Sequence, residues 1–279
     1  MKNILLPTDF SENSLNSIRY AIKFYEGVSC EFFLLHVNVL RNGMANLSAT
    51  ELVTLQDETY RRLEQLRSNI EKELPKGHHF TFHTVVDHNF FVESVRSQVK
   101  KLKIDAIVIG TKGANTFENS GIGTRTHEII TKVKCNALVV PQQAKFHDCK
   151  EIIFPTDFSM IYNDDTLQSI GAILKRFNTN FRVLHVCKKG SELFPDQVKN
   201  KKYLEAFLSY FHHSFNFFND KKLEAAIQSF VEDQGVDLIA MVAKNLNYMQ
   251  RLLFQPSVKK LTYLTNIPFL VLHEHRPSK

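Results

Sequence analysis

The sequence predicts an α/β protein of two tandem open-sheet domains, each a mostly parallel five-stranded sheet with helices on both faces. Three observations lead there. First, the chain repeats itself. Residues 4–11 read Ile-Leu-Leu-Pro-Thr-Asp-Phe-Ser and residues 152–159 read Ile-Ile-Phe-Pro-Thr-Asp-Phe-Ser, an offset of 148. The apolar run 32–37 answers 181–186 at an offset of 149, and 105–109 answers 237–241 at 132. A shared pentapeptide with aligned apolar runs marks a tandem duplication. Second, short apolar runs alternate with segments whose apolar residues recur every three to four positions, the pattern of strands joined by helices in a parallel sheet. Third, residues 105–110 are nearly all apolar, as a strand covered on both faces must be.

Taken in order, strands of the first half are expected near 3–6, 31–37, 79–86, 105–110 and 136–140, with helices near 12–25, 51–73, 89–102 and 124–133. Ser11 followed by Glu12 reads as a helix N-cap with a favourable first-turn acid. The second half follows the same order, with helices near 160–177, 196–210, 220–234 and 250–264 and its third strand within 211–218. The stretch 141–150 is polar and begins with Pro, so it reads as a linker. The expected boundaries are a first domain at 1–141, a linker at 142–150 and a second domain at 151–279.

Composition narrows the function classes. The 279 residues are 43% hydrophobic and 23% charged, which excludes a disordered or fibrous chain. The four cysteines, Cys30, Cys135, Cys149 and Cys187, include no C-x-x-C pair, and a reducing, cytoplasmic location is expected. No apolar run reaches the length of a membrane span. The net charge of +6 hints at nucleic acid, but residues 1–140 carry 17 Lys+Arg against 15 Asp+Glu and residues 151–279 carry 16 against 13. An excess spread over both halves lacks the clustered footprint that nucleic-acid binding needs.

Ligands of an open parallel sheet sit at the carboxyl ends of strands where strand order reverses, which points to the loops after the first and fourth strands. After the first come Pro7, Thr8 and Asp9. Asp9 is placed either to accept a hydrogen bond from a ribose hydroxyl or hold a phosphate-bound cation, or simply to close the turn. After the fourth comes Gly110-Thr-Lys112-Gly113, then Gly123-Thr124-Arg125 opening the next helix. Glycines allow close backbone approach and positive φ, and a helix N-terminus presents free N–H groups to phosphate. Lys112 and Arg125 add charge and Thr124 a hydroxyl. No G-K-[ST] closes the loop as in a Walker A motif, and it is not G-x-G-x-x-G.

The spacing Gly110-x2-Gly113-x9-Gly123-Thr124 resembles the ATP-binding pattern of the universal stress protein family at every fixed position. Residues 7–11 and His36-Val37 are similar to that family's first and second strand ends, and the resemblance covers the chain as two consecutive Rossmann-like, HUP-type domains. It implies a bound adenine nucleotide, ATP or AMP/ADP, with Mg2+. Asp9 would lie near the ribose, the backbone of Val37 against the adenine, and Ile109, Gly110, Gly113, Gly123, Thr124 and Arg125 around the sugar and phosphates. Arg125 departs from the family's usual small apolar residue, which leaves its side chain either on phosphate or in solvent. The resemblance further implies a homodimer-like internal pair, with a further homodimer and an unidentified protein partner as expected associations.

The second half has lost the pattern. A gapless match sets Val242 opposite Gly110, Asn245 opposite Gly113, Gln255 opposite Gly123 and Pro256 opposite Thr124. That half is expected not to bind ATP in the family manner. Other candidates are weaker: His78, His79 and His83 read as ordinary strand histidines rather than a metal site, His36 and His185 as structural, and residues 215–218 as packing. The main expectation is a nucleotide-dependent regulatory protein, with a slow ATP hydrolase and a non-nucleotide interaction scaffold as alternatives.

Overall fold

The computed structural model describes residues 1–38, 49–74, 77–111, 122–187, 190, 192–219, 222–245, 253 and 266–273. The first half runs β1 (Lys2–Pro7), α1 (Glu12–Phe24), β2 (Cys30–Val37), α2 (Ala49–Glu73), β3 (Phe80–Asp87), α3 (Phe91–Lys101), β4 (Ala106–Gly110), α4 (Thr124–Lys132) and β5 (Asn136–Val140). The second runs β6 (Glu151–Pro155), α5 (Asp164–Phe177), β7 (Asn180–Cys187), α6 (Pro195–Leu208), β8 (His213–Asn219), α7 (Leu223–Gln234), β9 (Leu238–Val242) and β10 (Phe269–Leu272). The helix expected at 250–264 lies outside the described residues except for Leu253, which is buried.

Each half is a parallel five-stranded sheet, but the two are joined edge to edge into one ten-stranded sheet of order β3-β2-β1-β4-β5-β10-β9-β6-β7-β8. At the junction β10 runs antiparallel to β5, with Leu270 opposite Leu138 and Phe269 opposite Val139. The His273 N–H also donates to Asn136 Oδ1 at 2.9 Å. The strand order reads the same from both ends, as a pseudo-two-fold axis at the junction requires. The physical reason is the burial of β5 and β10 on both faces: an apolar strand left as an edge would present unpaired backbone to water. The outer edges, β3 and β8, instead carry polar positions such as Thr81, His83, His213 and Asn216.

Strand residues alternate between two apolar layers. Ile4, Leu6, Phe32, Leu34 and Val108 face the layer that also holds Ile18, Leu63, Leu167 and Leu204. Leu5, Phe33, Leu35, Ile107 and Ile109 face the layer that holds Val95, Ile129, Ile130 and Ile227. Burying each such side chain stabilises by about 1.5–3 kcal/mol.

Two expectations shift. The α5 helix begins at Asp164, not 160, because Asn163 is its N-cap and accepts from Thr166 N at 2.9 Å. The stretch 141–150 is no free linker. Asn16 Nδ2 donates to the carbonyls of Pro141, Gln142 and Ala144 at 3.1, 3.3 and 3.1 Å. Cys149 is buried, and the Phe146 ring meets Tyr20 edge-on at 5.4 Å. The polar backbone of this connection is satisfied by α1 while its few apolar side chains join the core, so it binds the halves together. Across the axis α1 meets α5 through Phe24 and Phe177 at 5.5 Å, and Arg176 Nη2 donates to Glu26 O at 2.6 Å.

Candidate functional site

Strand order reverses between β1 and β4, and there the carboxyl ends of β1, β2 and β4 open into a cleft. It is a shallow, open cleft with a cavity volume of about 50 Å³. Among the described residues its lining is Pro7, Thr8, Asp9, Ser14, His36, Val37, Phe91, Ile109, Gly110, Arg125 and Thr126.

The β1 end of the cleft is a tightly bonded turn. Thr8 N–H still donates to Leu35 O at 2.8 Å, after which the chain leaves the sheet through Phe10 at φ 61°. That left-handed conformation is costly for an aromatic residue and needs surrounding support. Thr8 Oγ1 accepts from Phe10 N at 3.1 Å and lies 3.0 Å from Ser14 Oγ. Ser14 Oγ donates to Ser11 O, so Thr8 is the donor to Ser14. Asp9 Oδ1 accepts from both Ser11 N (3.1 Å) and Ser11 Oγ (2.5 Å), and Ser11 Oγ in turn caps α1 by accepting from Ser14 N. One oxygen of Asp9 therefore closes the turn, as the local alternative anticipates.

His36 fastens this turn to β2. Its Nδ1 lies 2.8 Å from Thr8 O, and a carbonyl only accepts, so Nδ1 carries the proton. Its ring stacks on Phe10 at 4.8 Å, and the Arg62 guanidinium lies 4.2 Å from the centre of the Phe10 ring. Burial pulls His36 below the ordinary imidazole range. The Thr8 carbonyl and the Asp9 charge oppose that shift, while Arg62 and Arg125 add to it.

On the β4 side, Gly110 ends the strand and Gly123 is the N-cap of α4. The first N–H groups of a helix have no intrahelical acceptor, and Gly123 brings no side chain to cap those of α4. Gly123 N–H donates to Thr111 O at 2.7 Å and Thr126 Oγ1 to Gly110 O at 2.7 Å, which ties the start of α4 to the end of β4. Arg125 lays its guanidinium 5.2 Å from the centre of the Phe91 ring.

The structure thus brings seven of the expected residues together: Pro7, Thr8, Asp9, Val37, Ile109, Gly110 and Arg125. Lys112 and Gly113 lie outside the described residues. Gly123 is buried behind the lining and Thr124 is exposed beside it. Two glycine roles are corrected. Gly123 has φ −65°, and neither it nor Gly110 is in the positive-φ region. A Cβ on Gly110 would sit 2.8 Å from Asn13 Cγ, so the residue is small to let α1 approach β4. Arg125 is exposed and pairs with no carboxylate among the described residues, and its guanidinium lies against an aromatic ring. Ser14, Phe91 and Thr126 are lining residues the sequence reading misses. All three lie in the first turns of helices, α1, α3 and α4.

The second half keeps the turn and bonds side chains over it. Phe158 takes φ 57°, His185 Nδ1 donates to Thr156 O at 2.9 Å, and Thr156 Oγ1 accepts from Phe158 N at 3.0 Å. Over this turn, Asn245 Nδ2 reaches Asp157 Oδ1 at 3.2 Å. From α6, Gln197 donates to Asp157 O at 2.7 Å and Asn200 to Phe158 O at 2.9 Å. Tyr162, buried, bonds Thr156 Oγ1 at 2.6 Å where the first half has the smaller Ser14. Among the described residues no group of three or more His, Cys, Asp or Glu is arranged to hold a metal ion, and no helix is long and apolar enough to cross a membrane.

Fold and cleft define an open parallel α/β protein with a crevice at its topological switch point. A profile of the universal stress protein family matches residues 1–141, and the chain belongs to that family. It is 26% identical over 148 residues to universal stress protein MJ0531 of Methanocaldococcus jannaschii, a match spanning 52% of this chain and 84% of the relative. The crystal structure of a universal stress protein from Archaeoglobus fulgidus DSM 4304 superposes with a TM-score of 0.70 at 18% identity. That match covers 97% of this chain and 98% of the other. The functionally unknown protein PA1789 from Pseudomonas aeruginosa PAO1 superposes with a TM-score of 0.55 at 10% identity, over 98% and 92% of the two chains. Both share the fold across the two halves.

Proposed function

We propose that the protein binds one adenine nucleotide, ATP or AMP/ADP with Mg2+, in the cleft of its first half, and acts as a nucleotide-dependent regulatory protein in the stress response. The observation that carries the reading is the convergence of Pro7, Thr8, Asp9, Val37, Ile109, Gly110 and Arg125 on one crevice at the β1–β4 switch point. The lining suits such a ligand. Pro7, Val37, Ile109 and Phe91 offer apolar walls to a base. Asp9 offers acceptor capacity to a ribose hydroxyl or to a phosphate-bound cation. The start of α4, with Arg125, offers N–H groups and positive charge to phosphate. In this reading Gly113, Gly123, Thr124 and Lys112 complete the phosphate side, residues 1–141 form the nucleotide-bearing domain, and residues 151–279 form its partner, joined through 142–150.

Binding rather than turnover is the reading we favour, because the cleft carboxylate, Asp9, already uses one oxygen to hold Ser11 and the turn. A regulatory role needs a partner that distinguishes the bound from the free protein, either a protein or a second copy of the chain. We further place it in the cytoplasm. The four cysteines are free thiols, three of them buried, and burial pushes Cys30 up to about 11 and Cys135 and Cys149 up to about 12. Such thiols are poor nucleophiles and suit a reducing compartment.

The test is calorimetric titration of the full chain with ATP and Mg2+. Purified protein that retains adenine also shows raised absorbance near 260 nm, since the chain has no Trp and only eight Tyr. Asp9→Asn keeps an acceptor for Ser11 while removing the charge. It is expected to weaken ATP with Mg2+ by about tenfold, near 1.4 kcal/mol, without altering the fold. A wild-type protein that binds no adenine nucleotide disproves the reading.

A further inference from the structure

We propose that Phe91 and Arg125 form one recognition pair, the ring walling the base and the guanidinium seated on it receiving the phosphate tail, so that the cleft selects charged nucleotides over the bare nucleoside. This rests on the nucleotide reading above and adds residues and a specificity to it.

Three independent features point to the pair. Both side chains line the same cleft, and the guanidinium carbon stands 5.2 Å from the ring centroid, within cation–π range. The contact is held from behind. Phe91 opens α3 and Arg125 is the second residue of α4, and the middle of α3 is tied to the end of α4 where Arg96 Nε and Nη2 donate to Lys132 O at 3.0 and 2.8 Å. Finally, Arg125 stands where a cation is electrostatically disfavoured. The N-terminal end of a helix carries partial positive charge, and the first turn of α4 has no acidic residue to offset it.

This exposed arginine makes no ion pair with a carboxylate among the described residues and rests against the face of Phe91. A phosphate group there meets the helix N–H groups and a planar fork of donors together, whereas a nucleoside meets only the ring. The influence of the Arg125 charge on His36 places it within electrostatic reach of the opposite wall.

The experiment is calorimetric titration of the full chain with ATP and, separately, with adenosine, at several salt concentrations. Wild type, Arg125→Gln, Arg125→Lys and Phe91→Leu are compared. We expect Arg125→Gln to weaken ATP by about tenfold or more while adenosine changes by less than about twofold. The salt dependence of ATP binding should shrink with it, because one screened charge contact is gone. Arg125→Lys should recover part of the ATP affinity, and Phe91→Leu should weaken ATP and adenosine by similar factors.

Equal loss of both ligands in Arg125→Gln, or no loss of ATP, overturns the pairing while leaving nucleotide binding intact. A wild-type protein that binds neither ligand overturns both.

Discussion

At Gly110 the missing side chain matters for what it lets approach. A Cβ would lie 2.8–2.9 Å from three atoms of the Asn13 side chain, which is buried against β4 by α1. Gly110→Ala is expected to cost about 1–3 kcal/mol in urea denaturation, the usual penalty for overpacking. Adding Asn13→Ala should return part of that loss, since it removes the atoms in conflict; an additive double variant would refute the contact. His36 gives a second residue-scale expectation. Burial depresses its folded-state pKa below the ordinary value of 6.5, so the unfolded chain binds the proton more readily. Its contribution to stability is complete above pH 6.5 and is lost as the pH falls through the depressed value. Melting temperatures between pH 7.5 and 5 should therefore fall less steeply in His36→Gln than in wild type. Parallel curves would show that His36 does not titrate as described. Of the lining residues that were legible in sequence, Pro7, Thr8, Asp9, Val37, Ile109 and Gly110 sit at strand ends that the apolar runs locate, and Arg125 follows the Gly123-Thr124 pair that opens α4. Ser14, Phe91 and Thr126 enter the cleft from helix starts, and helix placement across a sheet is a tertiary property that no local spacing encodes.

At the scale of elements, the repeated Pro-Thr-Asp-Phe-Ser builds the same backbone turn in both halves. Both copies hold a phenylalanine at positive φ, stack it against a strand-end histidine, and bond that histidine to the threonine carbonyl. Its survival in the second half therefore needs no ligand, and the sequence alone left turn and ligand indistinguishable as causes. The copies differ just beyond it. Ser11 caps α1 at once, whereas Ser159 Oγ donates to Asp157 and the cap of α5 passes to Asn163. Extrapolating the first copy therefore places the start of α5 too early. Asn163→Ala should lower stability by about 1 kcal/mol in chemical denaturation. It should leave ATP affinity unchanged, since the cap lies in the other half of the sheet from the cleft. The strands themselves were readable because both faces are covered, which leaves little room for polar residues, as in β4 and β9. The β5–β10 pairing was not, because two apolar strand patterns do not reveal that they face each other.

For the whole molecule, that pairing and the docked connection at 141–150 join the two halves into one continuous sheet. Leu138 and Leu270 face each other at the pseudo-axis, and Phe24, Phe146 and Phe177 pack around it on one face of the sheet. Stacked strands and rings shared in this way couple the halves, so calorimetry should give a single unfolding transition; two resolved transitions would mean the junction is weak. The same symmetry repeats the strand-end turn in the second half, and there side chains bond across it. Asp157 Oδ1 accepts from Ser159 N, Ser159 Oγ and Asn245 Nδ2, while Gln197 and Asn200 of α6 bond the turn carbonyls. Phe158 is fully buried where Phe10 is only partly so. A ligand entering that half would have to break these bonds, each worth about 0.5–1.5 kcal/mol, and displace Tyr162 from the core. Titration of the full chain with ATP should therefore saturate at one nucleotide per chain. Arg125→Gln should weaken that one event instead of exposing another, and a stoichiometry of two would show that the second cleft opens in solution.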